Sequence, residues 1–179
     1  MNAALRLLLA PIASRVRLIV SRGLLRLLDD EAKVQLAQVS ALRGELLGGV
    51  PRMGHFGLTS RPPAGTEVVL VCPGGSRDQA VVIADEHRAS RPAGELEVGD
   101  VMVYAVGSAR VHVRADGSVA ITAPAGVTVS ADLEAGGNVV AGGDVEDAVG
   151  TLAALRTAYN AHTHPDPQGG STGPPVPTV

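Results

Sequence analysis

Arg110-Val111-His112-Val113-Arg114-Ala115-Asp116-Gly117-Ser118-Val119-Ala120-Ile121-Thr122 is the stretch that decides the fold of this chain. Val111 and Val113 alternate, Asp116-Gly117 carries turn chemistry, and Val119 and Ile121 resume the alternation, so the stretch predicts two short strands around a turn. The pattern extends in both directions. Val103, Val111, Val119 and Val127 recur every eight residues, as do Val113, Ile121 and Val129, with a second turn at Ala125-Gly126. A six-residue cadence follows through Gly136-Gly137-Asn138-Val139 and Gly142-Gly143-Asp144-Val145.

A unit of two or three strand residues and a turn has too little apolar surface to offset its ordering entropy, so it must stack on neighbours. The run is shorter than a single-chain solenoid with coils of roughly 20 residues or more would need. Three chains wound about a common axis fit better. The expectation is an intertwined, trimeric, triple-stranded β-helix over residues 95–150, with Val111, Val113, Val119, Ile121, Val127 and Val129 in the shared core. A plain β-sandwich of hairpins is the alternative.

Composition agrees with narrow β-structure. The 179 residues include 22 glycines and only three aromatics, Phe56, Tyr104 and Tyr159, so small and branched residues must build the interior. The single cysteine, Cys72, permits no intrachain disulfide and reads as a buried hydrophobe. The net charge of −3 gives no general pull toward nucleic acid or anionic membrane.

Ahead of the repeats, residues 15–88 are β-rich. Val16, Leu18 and Val20 alternate, Val34 and Leu36 do so with Val39 off phase, and Val68–Val71 and Ala80–Ile83 flank the turn Pro73-Gly74-Gly75-Ser76. Roughly five short strands suggest a small OB-type barrel. Such barrels bind single-stranded nucleic acid by stacking bases on aromatic rings. Phe56 is the only ring in this segment, which argues against nucleic acid. Ser60–Gly65 reads as a loop and Glu86–Gly94 as a boundary.

Residues 1–14 read as an amphipathic helix with Leu5, Leu8, Leu9 and Ile12 on one face, its last turn compromised by Pro11, docking on a partner. Arg6 and Pro11 interrupt the run, and no small-x-small cleavage site follows, against a secretion signal. No stretch reaches the roughly 20 apolar residues that span a bilayer. All charges from Met1 to Leu28 are arginines.

At the other end, residues 151–179 are expected to form an apex. Thr151–Asn160 reads as a short helix with Leu152, Leu155 and Tyr159 on one face, capped by Asp147 or Thr151, before Ala161-His162-Thr163-His164-Pro165. In an extended segment His162 and His164 point the same way, and Pro165 biases His164 toward that conformation. Two imidazoles from one chain make a weak site. Three chains on an axis bring six, which favours an octahedral ion such as iron or nickel over four-coordinate zinc. A site filled by protein leaves no position for substrate, so it reads as a clamp. His55, His87 and His112 read as surface or loop residues, and the acidic run Asp29-Asp30-Glu31 as a solvated face. No nucleophile elbow, phosphate loop or His-Glu-x-x-His motif occurs, and a metal-dependent hydrolase would have only Asp166 beside the histidines.

The order of apolar N-terminal segment, small barrel, repetitive shaft and Tyr159-Asn160-Ala161-His162-Thr163-His164-Pro165 resembles the central spike of contractile phage tails, the baseplate assembly protein V family, near the phage Mu type. His55-Phe56-Gly57-Leu58-Thr59-Ser60-Arg61-Pro62 is the second specific match, and Ala109-Arg110-Val111 through Ala115-Asp116-Gly117-Ser118-Val119 a supporting one. The resemblance implies a non-enzymatic homotrimer in the virion, with an OB collar on the baseplate hub beneath the tail tube and an apex that enters the host outer membrane. It also implies an iron ion held on the axis by His162 and His164 of three chains. Calcium and chloride occur in some members; Asp144 and Asp147 are the plausible calcium ligands. A tail-derived bacteriocin, a secretion-system spike and a trimeric receptor-binding fibre are the other readings, and the fold-back of residues 166–179 over the apex is a further expectation.

Overall fold

The computed structural model describes residues 3–165 and 167–176, with side chains from Leu9 onward. The chain divides into two units, Met1–Gly126 and Val127–Val179. It is mainly β, in two antiparallel sheets, with one helix ahead of them and one after.

The first sheet comprises β1 (Val20–Asp29), β2 (Leu36–Ser40), β3 (Leu46–Pro51), β4 (Glu67–Val71) and β5 (Val81–Glu86), in the order β3-β2-β1-β4-β5. Alternation buries one face: Ala37 and Val39 of β2, Val68 and Leu70 of β4, and Val82 of β5. Leu25, Leu28, Val50, Cys72 and Ala80 complete the core. No aromatic ring belongs to it, as the composition requires. Among the described residues, the backbone joins the two edges at one parallel bridge, Arg52↔Val82, with a bond from Met53 N–H to the Val82 carbonyl at 2.9 Å, beside the Arg52–Asp85 ion pair. The expected barrel is therefore not closed by a continuous ladder.

Two sequence readings need correction here. The helix α1 spans Ala3–Leu18, through Pro11, so Val16 and Leu18 are helical and the first strand begins at Val20. Arg15 and Arg17 in its last turn complement the helix dipole. Beyond the helix, Cys72 N–H bonds the Ile19 carbonyl at 2.7 Å, and a Cβ on Gly75 would lie 2.3 Å from the Arg15 carbonyl oxygen. Tertiary packing on the Pro73–Gly75 turn thus overrides the local alternation. Leu5 and Leu8, expected on the apolar face, have side chains outside the described residues; Leu9 and Ile12 are exposed. The second correction is phase: Val39 is fully buried whereas Val34 is 43% exposed. Both ladders of β2 shift register, near Val39 and near Leu25, which moves the inward set to Ala37 and Val39.

The second sheet is a meander of β6 (Val101–Tyr104), β7 (Arg110–Val113) and β8 (Val119–Thr122). Its second turn falls where the sequence places it, with Arg114 N–H bonding the Ser118 carbonyl at 2.9 Å around Asp116-Gly117, whereas the β6–β7 turn, closed by Ala105 N–H on the Ala109 carbonyl at 3.0 Å, is not among the turns read from the sequence. These strands group with the first unit, although the repeat period runs without a break from residue 103 to residue 129.

In the second unit, residues 127–144 form no strand, and Val127 and Val129 are exposed. A triple-stranded β-helix is not present in the single chain. The helix α2 (Leu152–Ala161) is capped by Thr151, whose Oγ1 accepts from Ala154 N–H at 3.0 Å. Asp147 instead closes the preceding turn, accepting from the N–H groups of Val149 and Gly150 at 2.8 and 3.0 Å.

Candidate metal tip and assembly face

Two features stand apart from the packed core. The first is the pair His162 and His164, just past α2. His162 ends the helix with extended backbone, and its Nδ1 stands 2.5 Å from the Tyr159 carbonyl oxygen. A carbonyl accepts only, so Nδ1 donates, and in the neutral ring Nε2 is the nitrogen with the lone pair for a ligand bond. His164 is held by backbone: its N–H donates to Thr172 Oγ1 and its carbonyl accepts from Thr172 N–H, each at 2.9 Å. An antiparallel bridge, Pro165↔Ser171, adjoins this contact. The chain thus folds back over the histidine segment as far as Thr172.

The two rings face each other edge-on, with centroids 5.1 Å apart and planes at 88°. Imidazole is a donor for zinc, iron and nickel, and with metal–nitrogen bonds of about 2.0–2.1 Å two rings on one ion have centroids at a separation of this order. Among the described residues no cluster of three or more His, Cys, Asp or Glu side chains forms, so one chain supplies two donors. Asp144 and Asp147, the plausible calcium ligands, are occupied with local structure. Asp144 Oδ1 accepts from Val145 and Ala153 N–H groups at 2.9 and 3.2 Å, and Asp147 Oδ1 closes its own turn. Both carboxyls are held below the usual aspartate range, Asp144 first by Thr151 and Asp147 first by the Gly150 N–H.

The second feature is one face of the β6–β8 sheet. Register places Val101, Val113 and Val119 in one cross-strand row and Val103, Val111 and Ile121 in the next. All six are exposed. The sequence reading takes four of them as a shared core; the register adds Val103, which shares their eight-residue period, and Val101, which does not. The opposite face carries Met102, His112 and Ala120.

His112 departs from its expected place at the surface. It is buried, with Nε2 2.8 Å from Asp100 Oδ2. The signal is in the sequence: a residue between two valines of one strand points to the other face. His55 is exposed, and His87 is a half-buried loop residue whose Nδ1 stands 2.7 Å from Ser90 Oγ.

Comparison with known proteins gives an independent line. Residues 22–89 match the family described as Bacteriophage Mu Gp45, N-terminal. The chain is 36% identical over 121 residues to the baseplate puncturing device gp45 of Escherichia phage Mu, covering 68% of this chain and 61% of that protein. It is 32% identical over 101 residues to the Mu-like prophage FluMu protein gp45 of Haemophilus influenzae, covering 56% of this chain and 54% of that one. The chain spans less than two thirds of the length of either. Over the aligned residues the resemblance to the Mu-type spike holds.

Proposed function

Because residues 22–89 match the Bacteriophage Mu Gp45 N-terminal family, we propose that this chain is the central spike of a contractile-tail baseplate. It resides at the baseplate tip of the virion and is driven into the host outer membrane when the sheath contracts. The alignment with a protein named a baseplate puncturing device supports this over a receptor-binding fibre or a secretion-system spike. Its role is mechanical and not enzymatic.

The observation that carries the mechanism is the exposed face of six β-branched residues on β6–β8. An apolar face of this kind on a thin sheet is an assembly surface. Three copies packed by these faces form a homotrimer, and residues 127–150 then find in neighbouring chains the ladder partners one chain lacks. The strand order of the first sheet, with β3 and β5 touching in parallel, supports an OB-type collar. α1, exposed from Leu9 to Arg17 and free of acidic residues, docks the collar on the baseplate hub beneath the tail tube.

At the apex, His162 and His164 of three chains hold one iron ion; the freed Nε2 of His162 and the edge-on ring pair support this. When bound, the ion supplies a closed six-nitrogen crosslink that keeps the strand ends from fraying.

The test measures mass by light scattering and metal by elemental analysis on purified protein. A trimer with about one iron per three chains is expected, with the iron lost in His162→Ala/His164→Ala. A monomer, or iron that survives the double substitution, overturns the reading.

A further inference from the structure

The segment between β3 and β4 carries a projecting aromatic knob. Leu58 N–H bonds the His55 carbonyl at 3.1 Å, closing a turn over His55-Phe56-Gly57-Leu58. Gly57, with φ +86°, occupies the third position, where a left-handed conformation excludes most side chains. Phe56 therefore stands at the crest, fully exposed, with Met53 and Leu58 exposed beside it. The base of this segment is fixed. Arg52 Nη2 donates to Ser60 Oγ at 2.8 Å and its Nη1 to the Ser60 carbonyl at 3.1 Å. A large aromatic ring held in water by a pinned turn gains nothing for the isolated chain and loses the burial an aromatic normally provides.

The same unit carries a hole. A cleft of about 680 Å³ lies between the segment Thr59–Pro63, the end of β5 and the β6–β8 sheet. Pro62, Val103, Tyr104, Val106 and Ile121 give it apolar walls. Among the charged groups on its wall, Asp85 pairs with Arg52 at 2.6 Å, Arg110 with Glu95 at 2.5 Å, and Glu86 accepts from the Tyr104 hydroxyl, whereas the Arg61 guanidinium has no ion pair among the described residues. An apolar wall beside a free guanidinium suits an aromatic ring, whose face attracts a cation, and Met53-Gly54-His55-Phe56-Gly57-Leu58 offers such a ring and adds no lysine or arginine.

We infer that Phe56 of one copy seats in this cleft of the next copy around the threefold axis. The inference rests on the trimer reading above and adds a contact to it. A knob and a hole at different places on one chain make a head-to-tail interface, which closes into a ring under cyclic symmetry. The cleft shares Val103, Val111 and Ile121 with the face that the trimer reading covers, so the contact continues that interface. Each ring position then locks the collar to its neighbour above the shaft.

The chain has no tryptophan, so Phe56→Trp gives one fluorophore at the crest. In the full-length trimer its emission is expected to be blue-shifted and its iodide quenching reduced several-fold. Val106→Arg, at an exposed wall position, blocks the hole. The trimeric double variant Phe56→Trp/Val106→Arg should show exposed emission alone. Co-expressed with an excess of Phe56→Ala chains, whose holes are open, it should regain the blue shift. A Phe56→Trp trimer whose indole emission is exposed throughout overturns this contact and leaves the trimer reading standing. A blue shift that co-expression fails to restore places the ring in its own cleft and overturns it too. A monomer in light scattering overturns both.

Discussion

His112 is held against Asp100, with Nε2 2.8 Å from Oδ2, on the side of the β6–β8 sheet away from its valine rows. The same carboxylate accepts from Ala115 N–H at 2.9 Å and from Glu97 N–H at 3.2 Å. It ties the chain entering β6 to β7 and to the turn before β8, fixing the face proposed to meet other copies.

These contacts set an acid dependence. The Ala115 N–H, then His112 and the Glu97 N–H, hold the Asp100 carboxyl below the usual aspartate range. A depressed folded pKa contributes stability that is present above the unfolded value of about 3.9 and is lost as pH falls through the folded value. Asp100→Asn removes that contribution. The melting-temperature gap between wild type and variant should be widest near pH 6 and shrink as pH drops below about 4. A gap that stays constant with pH would show that the charge plays no part.

The close approach of α1 to the first sheet yields a paired test. Gly75 has φ +74°, and a Cβ there would lie 2.3 Å from the Arg15 carbonyl oxygen; adjacent Gly74 has φ +62° and open space around it. Both alanine substitutions carry the left-handed penalty, about 1–3 kcal/mol. Only Gly75→Ala must also push the helix away. Denaturant melts should rank it below Gly74→Ala, and trypsin should cut after Arg15 and Arg17 faster in Gly75→Ala alone. Equal cleavage in the two variants would rule out the steric contribution.

Those contacts also mark how much of the molecule could be read from residues. The β7–β8 turn, the α2 helix, the buried Cys72 and the proximity of His162 and His164 follow from spacing and turn chemistry, all local signals, while the choice of Thr151 over Asp147 as cap needs the structure. The extension of α1 through Pro11 does not, because it depends on Gly75, about 60 residues away. β2 shows its inward set only once the bulges are known. β3, with Gly48, Gly49 and Pro51, has no alternation to find, and none of the runs singled out in the sequence covers it. The valine periodicity marks an exposed face on β6–β8, yet its continuation at Val127 and Val129 lies on residues that form no strand.

The helix cap at the apex carries a magnitude. Thr151 Oγ1 accepts from Ala154 N–H at 3.0 Å and is the side-chain cap of α2. Thr151→Ala should lower stability by about 0.5–2 kcal/mol, whereas Thr151→Ser should restore most of it. Circular dichroism melts check both. If His162 depends on α2 for its position, the alanine variant also retains less metal at equal protein concentration, and full retention would show that the pair is positioned without the cap.

Arg52 supports the most specific prediction for the knob. Its Nε donates to Asp85 at 2.6 Å, Nη1 to Gln35 Oε1 at 2.5 Å and Nη2 to Ser60 Oγ at 2.8 Å, with the side chain only 11% exposed. A guanidinium meets three directions at once, which a lysine ammonium on a flexible stem cannot reproduce. Arg52→Lys should keep the charge opposite Asp85 while releasing Gln35 and Ser60, at a cost of about 1–3 kcal/mol. The segment carrying Phe56 then loses its anchor. Chymotrypsin should cleave after Phe56 several-fold faster than in wild type, and any burial of a tryptophan introduced by Phe56→Trp should weaken in the Arg52→Lys background. Unchanged cleavage would mean that the His55–Leu58 turn holds the crest without help from its base.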